Sequence, residues 1–228
     1  MFTNVNLSAP LGVMALLGTA LIFVLAGLAF VYTLVRRQFG ANRLVLAAAV
    51  IVAALYIGVM LLFAFASSEK VLARGQEKHF CEIDCHLAYS VVDVSDSKTL
   101  GAAPDQTTAA GTFRVVTIKT RFDETTIGAN RGDGLLYPNS RVLTVVDESG
   151  RGYLPSADAQ RVLEQTKSAG TPMTTPLRPS ESYTTTLVFD LPANVRNPAL
   201  LINEGEWITH FVIGHENSLF HKTTRLQL

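Results

Sequence analysis

Hydrophobic positions are concentrated in the first third of this chain. Two runs without a charged side chain, residues 11–35 and 44–66, are separated by a short polar segment. Each run is long enough to cross a hydrocarbon core about 30 Å thick as an α-helix. The pattern therefore predicts a transmembrane helical hairpin over residues 1–68, followed by a second region over residues 69–228.

The charges around the two runs predict an orientation. The segment between them contains Arg36, Arg37 and Arg43 and no acidic residue. Short loops rich in Lys and Arg stay in the cytoplasm, so we expect this loop to be cytoplasmic, with both termini and the second region on the extracytoplasmic side of a bacterial inner (plasma) membrane. Residues 1–10 lack the Lys or Arg of a secretory n-region, which favours a retained span over a cleaved signal.

The second region reads as strands. Polar and apolar residues alternate over 113–122, where Val116, Ile118 and Phe122 share one face. We predict the same for 182–191, and a short helix capped by Ser156. Other predicted strands are 141–147, 199–202, 207–213 and 219–228. Short strands separated by turn residues are typical of an antiparallel sandwich, so the predicted fold is a membrane-anchored all-β protein.

Two further segments carry weaker patterns. Good helix formers in residues 67–78 predict that the second helix continues as a stalk and ends near Gly75. Ser, Thr, Gly, Ala, Pro and Asp without periodicity predict a loop over residues 96–111.

Three stretches resemble a broad family of bacterial extracytoplasmic immunoglobulin-like domains, which often follow a lipoprotein or membrane anchor. They are Val115-Val-Thr-Ile, the Val-Asp-Glu-Ser-Gly-Arg-Gly-Tyr-Leu-Pro stretch ending at Pro155, and the Leu-Arg-Pro-Ser-Glu-Ser-Tyr-Thr-Thr-Thr-Leu-Val-Phe-Asp-Leu-Pro stretch ending at Pro192. The resemblance implies an antiparallel immunoglobulin-like β-sandwich and non-enzymatic, adhesive or accessory roles. It supplies no catalytic residues.

One stretch at the junction of the two regions holds candidate chemistry. His79, Cys81, Cys85 and His86 carry the thiolate and imidazole groups that bind copper and zinc. The spacing C-x-x-x-C-H is one residue longer than a haem attachment motif. Copper is the first candidate cofactor, followed by zinc or haem c.

The same stretch can also be interpreted as part of the fold without a ligand. Period two places Cys81, Cys85 and Tyr89 on one face, as in a half-buried strand. In an extended strand the two cysteines would lie about 13 Å apart, too far for a disulfide or a shared metal. In a helix or tight turn they would approach to about 6 Å. Structural thiols, a turn disulfide, a metal site and haem attachment therefore all remain open.

The layout is also similar to subunit II of haem-copper oxidases, in which a two-helix hairpin precedes an extracytoplasmic β domain. The Cys81-Glu-Ile-Asp-Cys85 spacing looks like the dinuclear copper loop of that subunit. That family has its next His and Met ligands where this chain has Tyr89 and Val92, and its copper loop follows most of the β domain instead of preceding it. The similarity is one of layout.

Charge and motifs narrow the function. The 228 residues contain 19 basic and 19 acidic side chains without a basic stripe, so nucleic acid is not an expected partner. The sequence has no G-x-S-x-G, H-E-x-x-H or phosphate-loop motif, which favours a non-enzymatic protein. We expect an accessory or docking subunit whose partners are the membrane and other membrane protein subunits. The alternative is an electron-transfer protein that uses the His79, Cys81, Cys85 and His86 cluster.

Overall fold

The computed structural model describes residues 8–80, 86–127 and 131–228. It divides into two compact units. The helical unit contains the apolar helices together with the segment Glu206–Lys222. The β unit contains Glu69–Gly205 and Thr223–Leu228.

Two long apolar helices form the hairpin of the helical unit, as the sequence predicts. They are α1, Ser8–Val35, and α2, Phe39–Ala66, and their apolar stretches have mean hydropathies of 2.5 and 2.8. Their connection is tight because Arg37 adopts a left-handed backbone, with φ 54°. The buried Thr33 hydroxyl lies 2.5 Å from Asn42 Oδ1 and fastens the end of α1 to the start of α2.

The segment Glu206–Lys222 differs from its prediction. Residues 207–213 were expected to form a strand, but Trp207–Phe211 is a 3₁₀-helix followed by turns. The Glu206 carbonyl accepts hydrogen bonds from the backbone N–H and the hydroxyl of Thr209, at 3.2 and 2.6 Å, which closes the first turn. Local side-chain bonding to the backbone has outweighed β propensity here.

The described residues of the β unit form two sheets. Its strands are β1, Lys70–Leu72; β2, Lys78–Phe80; β3, Leu87–Leu100; β4, Thr107–Phe122; β5, Arg141–Val146; β6, Gly152–Tyr153; β7, Ser182–Leu191; β8, Ala199–Glu204; and β9, Thr224–Gln227. The five-stranded sheet has the order β1-β9-β8-β5-β6, and the four-stranded sheet has the order β2-β3-β4-β7. All pairs between these strands are antiparallel except β1 with β9.

Both sheets contribute to one hydrophobic core, which makes the β unit sandwich-like. The four-stranded sheet supplies Val116, Ile118 and Phe122, so the face predicted for this strand is confirmed. The five-stranded sheet supplies Leu200 and Ile202, among others. Both inner faces are apolar because each strand places alternate side chains on opposite sides.

The predicted short helix is also confirmed. It is α3, Ala157–Gln165, and the Ser156 side chain accepts a hydrogen bond from the backbone N–H of Ala159 at 3.4 Å. Leu163 of this helix packs with Phe113 and Val188 in a second, smaller cluster. The four-stranded sheet is therefore covered on part of both faces.

Two predictions in the β unit are wrong. The expected stalk does not continue α2, because residues 70–72 pair with β9 and Gly75 occupies a turn with φ +80°. Pairing with a distant strand has overridden the helix propensity of this segment. The loop expected at 96–111 is largely strand, since β3 and β4 pair as far as Leu100 and Thr107. Polar residues on both faces of that hairpin hid the period-two pattern.

The last predicted strand, over residues 219–228, is confirmed only at Thr224–Gln227. The preceding residues belong to the turns of the helical unit. The backbone conformation of residues 81–85, on which the disulfide and metal interpretations depend, lies outside the described residues.

Candidate functional site

The candidate metal stretch begins on β2. His79 lies opposite Ala88 of β3 in the antiparallel register. Its neighbours Lys78 and Phe80 are buried, whereas the His79 side chain is 26% exposed. Alternation along the strand places the imidazole on the opposite side from these two residues, away from the core.

His79 is part of a charged cluster, which we call the Asp123 network: Glu77, His79, Arg121 and Asp123. His79 Nε2 lies 3.0 Å from Asp123 Oδ2. Arg121 donates through Nε and Nη2 to the two oxygens of Glu77, at 2.7 and 2.6 Å, and through Nη1 to Asp123 at 3.3 Å. Planar, bidentate pairing of this kind fixes both side chains.

Asp123 also fixes the local backbone. Its Oδ1 accepts hydrogen bonds from the backbone N–H and the hydroxyl of Thr125, at 3.1 and 2.8 Å, and so caps the 3₁₀-helix Glu124–Thr126. Its own N–H donates to the carbonyl of His86 at 2.7 Å. One residue thus joins the end of β4, the start of β3 and the His79 side chain.

The electrostatics of the network follow from these contacts. Burial raises the pKa of Asp123, but hydrogen bonds from Thr125 and His79 and the charge of Arg121 outweigh it and bring that pKa down to about 2. The hydrogen bond from Arg121 lowers the pKa of Glu77, and the same bond raises the pKa of Arg121. Both carboxyl groups are therefore ionised at neutral pH.

His86 lies directly before β3 and is 6% exposed. Its ring stacks on Phe122, with centroids 5.3 Å apart and an interplanar angle of 10°. His79 and His86 therefore flank residues 81–85 at the neighbouring ends of β2 and β3. Each has a protein partner of its own, a carboxylate for His79 and an aromatic ring for His86.

The two cysteines of the candidate site, Cys81 and Cys85, lie outside the described residues. Within residues 8–80, 86–127 and 131–228, no group of three or more His, Cys, Asp or Glu side chains is arranged to hold a metal ion. A metal site formed by His79, Cys81, Cys85 and His86 therefore stays a prediction.

Two buried cations next to this region were not predicted from the sequence. Lys78 is 3% exposed, and its ammonium group donates to the carbonyls of Ile202 at 2.8 Å and Thr224 at 3.1 Å. The Arg141 side chain is 1% exposed, lies 4.2 Å from the centroid of the Phe80 ring and pairs with Glu204 at 3.2 Å. These cations connect the two sheets at one end of the core.

The sequence contains only weak signals for the residues of the Asp123 network. The charged run Glu77-Lys-His79 directly precedes the cysteine stretch, and Arg121 and Asp123 stand at the end of a clear strand. His79 and Asp123 are 44 residues apart in the chain, so no local sequence pattern predicts the contact between them. Only the strand register brings them together.

These features define an all-β unit of two facing sheets in a chain with two long apolar helices. Comparison with protein-family models gives no match, and neither does comparison with curated proteins. Among solved structures, MPT63, a secreted protein from Mycobacterium tuberculosis, is similar at 13% identity with a TM-score of 0.43, over 71% of this chain and 98% of that one. A conserved hypothetical protein from Bacillus anthracis is similar at 14% identity with a TM-score of 0.40, over 58% of this chain and 92% of that one. Similarity at this level does not identify a family.

Proposed function

We propose that this protein is a membrane-anchored, extracytoplasmic accessory or docking subunit of a larger membrane complex and that it is not an enzyme. The observation that carries the proposal is the exposure of α1. Five successive side chains, Leu21 to Leu25, are each exposed by 40–59%. Successive residues cover the whole circumference of a helix, so apolar groups face outward in every direction, and lipid is the solvent that such a surface fits.

The same character extends along both helices. Large apolar side chains exposed by 56–78% include Leu17, Leu25 and Leu28 on α1 and Leu44, Leu55 and Phe65 on α2. Both helices have the length for a span. With Arg36, Arg37 and Arg43 around the connection, the positive-inside rule favours a cytoplasmic loop and an extracytoplasmic β unit.

The β unit is suited to binding through its faces. Within the described residues, the edge strands β1, β2 and β6 have only two or three residues each. The fourth edge, β7, is covered by the chain around residues 155–171, with hydrogen bonds such as Ser156 N to the Val188 carbonyl at 2.7 Å. Short and covered edges disfavour recognition by strand addition, so we expect a partner to contact side chains of an immunoglobulin-like sandwich face.

Anchoring and orientation are tested together in a cysteine-free C81S/C85S background. A cysteine introduced at Gly40, in the exposed first turn of α2, or at Ser149, in an exposed turn of the β unit, is treated with a membrane-impermeant maleimide on intact cells. We expect the Ser149→Cys protein to be labelled at once and the Gly40→Cys protein only after permeabilisation, with both retained by membranes in alkaline carbonate. Release by carbonate, or labelling of Gly40→Cys in intact cells, would contradict the proposal.

The docking role is tested by purification in mild detergent. We expect a membrane protein partner at a fixed stoichiometry. Val92 and Val142 are 43% and 44% exposed and lie on different sheets, so lysine at each position is a matched pair. Loss of the partner with one variant and retention with the other would locate the docking face. A wild-type protein that purifies as a monomer would argue against a subunit role.

A second candidate function is metal binding at His79, Cys81, Cys85 and His86. The observation that favours it is the 3.0 Å contact between His79 Nε2 and Asp123, because a carboxylate on one imidazole nitrogen orients the other nitrogen of a metal-binding histidine. Metal analysis and the visible absorption spectrum of the purified protein test this role. Copper or zinc that is lost in Cys81→Ser and kept in His210→Gln would support it, and a protein without metal would exclude it.

A further inference from the structure

The segment Glu206–Lys222, which we call the aromatic loop, exposes large apolar side chains. They are Trp207 at 68%, Ile208 at 43%, Phe211 at 40%, Leu219 at 40% and Phe220 at 74%. Side chains of this size are more stable in an apolar medium than in water. The charged residues Glu206 and Lys222 stand at the two ends of the loop, and the half-buried Glu216 lies in its central turn.

The aromatic loop contacts both helices of its unit. The Tyr56 hydroxyl of α2 donates to the Phe211 carbonyl at 2.5 Å. On α1, the loop backbone passes so close to Gly12 that a Cβ there would collide with the Ile213 carbonyl oxygen and lie 2.9 Å from Val212 Cγ1. The loop returns to the end of α2, where Lys222 N–H donates to the Ser67 hydroxyl at 2.9 Å.

These contacts give the depth of the loop along the helices. Tyr56 and Ser67 are separated by about 16 Å at 1.5 Å per residue. Counted from Arg43, the last cation of the helix connection, the roughly 20 residues that cross a hydrocarbon core end near Phe63. Tyr56 then lies about 10 Å inside that boundary, and so does the Phe211 carbonyl that it contacts.

Polar groups of the aromatic loop are bonded within the helical unit. His210 Nδ1 lies 2.6 Å from the Asn217 carbonyl, and His215 Nδ1 accepts from the Asn217 N–H at 3.0 Å. The Leu219 N–H donates to the His210 carbonyl at 3.0 Å. Irregular backbone can enter an apolar medium where its polar groups are satisfied by protein, and these bonds satisfy part of the polar groups of the loop.

We infer that the aromatic loop inserts into the lipid leaflet on the β-unit side of the membrane, with Trp207 and Phe220 near the boundary between headgroups and acyl chains and Phe211 deeper, among the acyl chains. The inference rests on the proposed membrane anchoring of α1 and α2. Lipid is the occupant that the geometry favours, because the exposed aromatic side chains continue the apolar surface of the helices to which the loop is bonded. Trp residues concentrate at this boundary because the indole ring is amphipathic.

Trp207 makes the inference directly testable because it is the only tryptophan of the chain. The full-length protein is reconstituted into vesicles of phosphatidylcholine and phosphatidylglycerol. Lipid carrying a nitroxide near the headgroup end of its acyl chain should quench most of the fluorescence, and a nitroxide at the chain terminus should quench less. Aqueous iodide should quench little.

A matched control moves the fluorophore to the β unit. Tyr137 is 67% exposed, nearly the same as Trp207, so the variant W207F/Y137W carries its only tryptophan on an equally exposed site. We expect iodide to quench this variant strongly and the lipid nitroxides to leave it unchanged. The comparison removes any general effect of the vesicles on emission.

The outcomes separate this inference from the proposed function. If the protein resists alkaline extraction but iodide quenches Trp207, the helices are anchored and the loop is in water, which overturns only the inference. Protection of Trp207 from both iodide and lipid nitroxides would show that protein covers the loop and would also overturn it. Release of the protein by alkali would contradict both.

Discussion

The Lys78 ammonium group donates to the carbonyl of Ile202 across the core, at 2.8 Å. Lys78 belongs to the four-stranded sheet and Ile202 to the five-stranded sheet, so the bond joins the two layers. The same ammonium group lies 4.9 Å from the centroid of the Phe80 ring. A buried lysine is stable in this place because carbonyl oxygens and an aromatic face replace its hydration.

Replacing Lys78 by methionine should therefore destabilise the β unit although the side chain becomes more apolar. We expect a loss of about 2 kcal/mol, because two carbonyls at Ile202 and Thr224 lose a charged donor in a buried place. Chemical denaturation of the full chain in detergent, followed by the β signal in circular dichroism, measures the change. Lys70→Met on the exposed strand β1 is the control and should change stability by less than about 0.5 kcal/mol. Equal stability of both variants would show that Lys78 is not a cross-sheet link.

Arg141→Met should destabilise the β unit more than Lys78→Met does, because it removes the 3.2 Å contact of Arg141 with the Glu204 carboxylate in a site where that side chain is only 10% exposed. Breaking one partner of a buried pair costs on the order of 3 kcal/mol. The double variant R141M/E204Q should recover part of the loss, since the buried negative charge of Glu204 is then removed. Thermal unfolding of the three proteins checks this. A double variant less stable than R141M would refute the charge argument.

The Asp123 network predicts a loss of stability in acid. The pKa of Asp123 is about 2 in the folded protein and lies below its ordinary value of 3.8. As the pH falls, the unfolded chain therefore binds this proton at a higher pH than the folded protein does. The contribution of ionised Asp123 to the free energy of unfolding is complete above about pH 4 and is lost as the pH falls towards 2, by an amount on the order of 2 kcal/mol.

Stability measured from pH 6 to about pH 2 should show this decline in the wild type and a flatter profile in Asp123→Asn. The asparagine keeps an oxygen for Thr125 while removing the charge. Asp133→Asn, at an exposed position, is the control and should follow the wild-type profile. An unchanged profile in Asp123→Asn would mean that other carboxyl groups dominate acid unfolding.

Gly12 and Gly18 form a matched pair for the contact between α1 and the aromatic loop. An added Cβ at Gly12 collides with the loop backbone, whereas Gly18 has nothing within 4 Å. Alanine at either position gains the same helix propensity, but at position 12 it must displace the loop at a cost of about 1–3 kcal/mol.

We expect backbone amides of residues 206–222 to exchange with deuterium roughly ten-fold faster in Gly12→Ala, and at the wild-type rate in Gly18→Ala. Hydrogen exchange with mass spectrometry in detergent makes the comparison. Equal protection in both variants would place the loop away from α1.

The parts of this fold that follow from periodicity could be predicted from sequence. The apolar runs gave α1 and α2, and the alternation at Val116, Ile118 and Phe122 gave a strand with its buried face. The predictions failed where a distant partner decides the conformation. Residues 70–72 contain helix formers but pair with β9. Residues 207–211 are rich in β formers but form a 3₁₀-helix in which the Thr209 hydroxyl donates to the Glu206 carbonyl.

The candidate site was predictable to a similar extent. His79 and His86 were identified by their chemistry, and the structure places them at adjacent strand ends. Their partners were not identified, since Asp123 reaches His79 only through the register of β2, β3 and β4. Whether this end of the sheet binds a metal, and whether the sandwich is immunoglobulin-like, stay predictions.

The parallel pairing of β1 with β9 has a consequence for biosynthesis. Lys70 is opposite Thr224, so β1 emerges from the ribosome about 150 residues before its only neighbouring strand in the described part of the sheet. At 5–20 residues per second this delay is on the order of 10–30 s. During this delay β1 has no strand to pair with, and its later pairing with β9 must close a loop of about 150 residues. We therefore expect β1, the strand that follows the helical hairpin in the sequence, to be the last strand to join the five-stranded sheet.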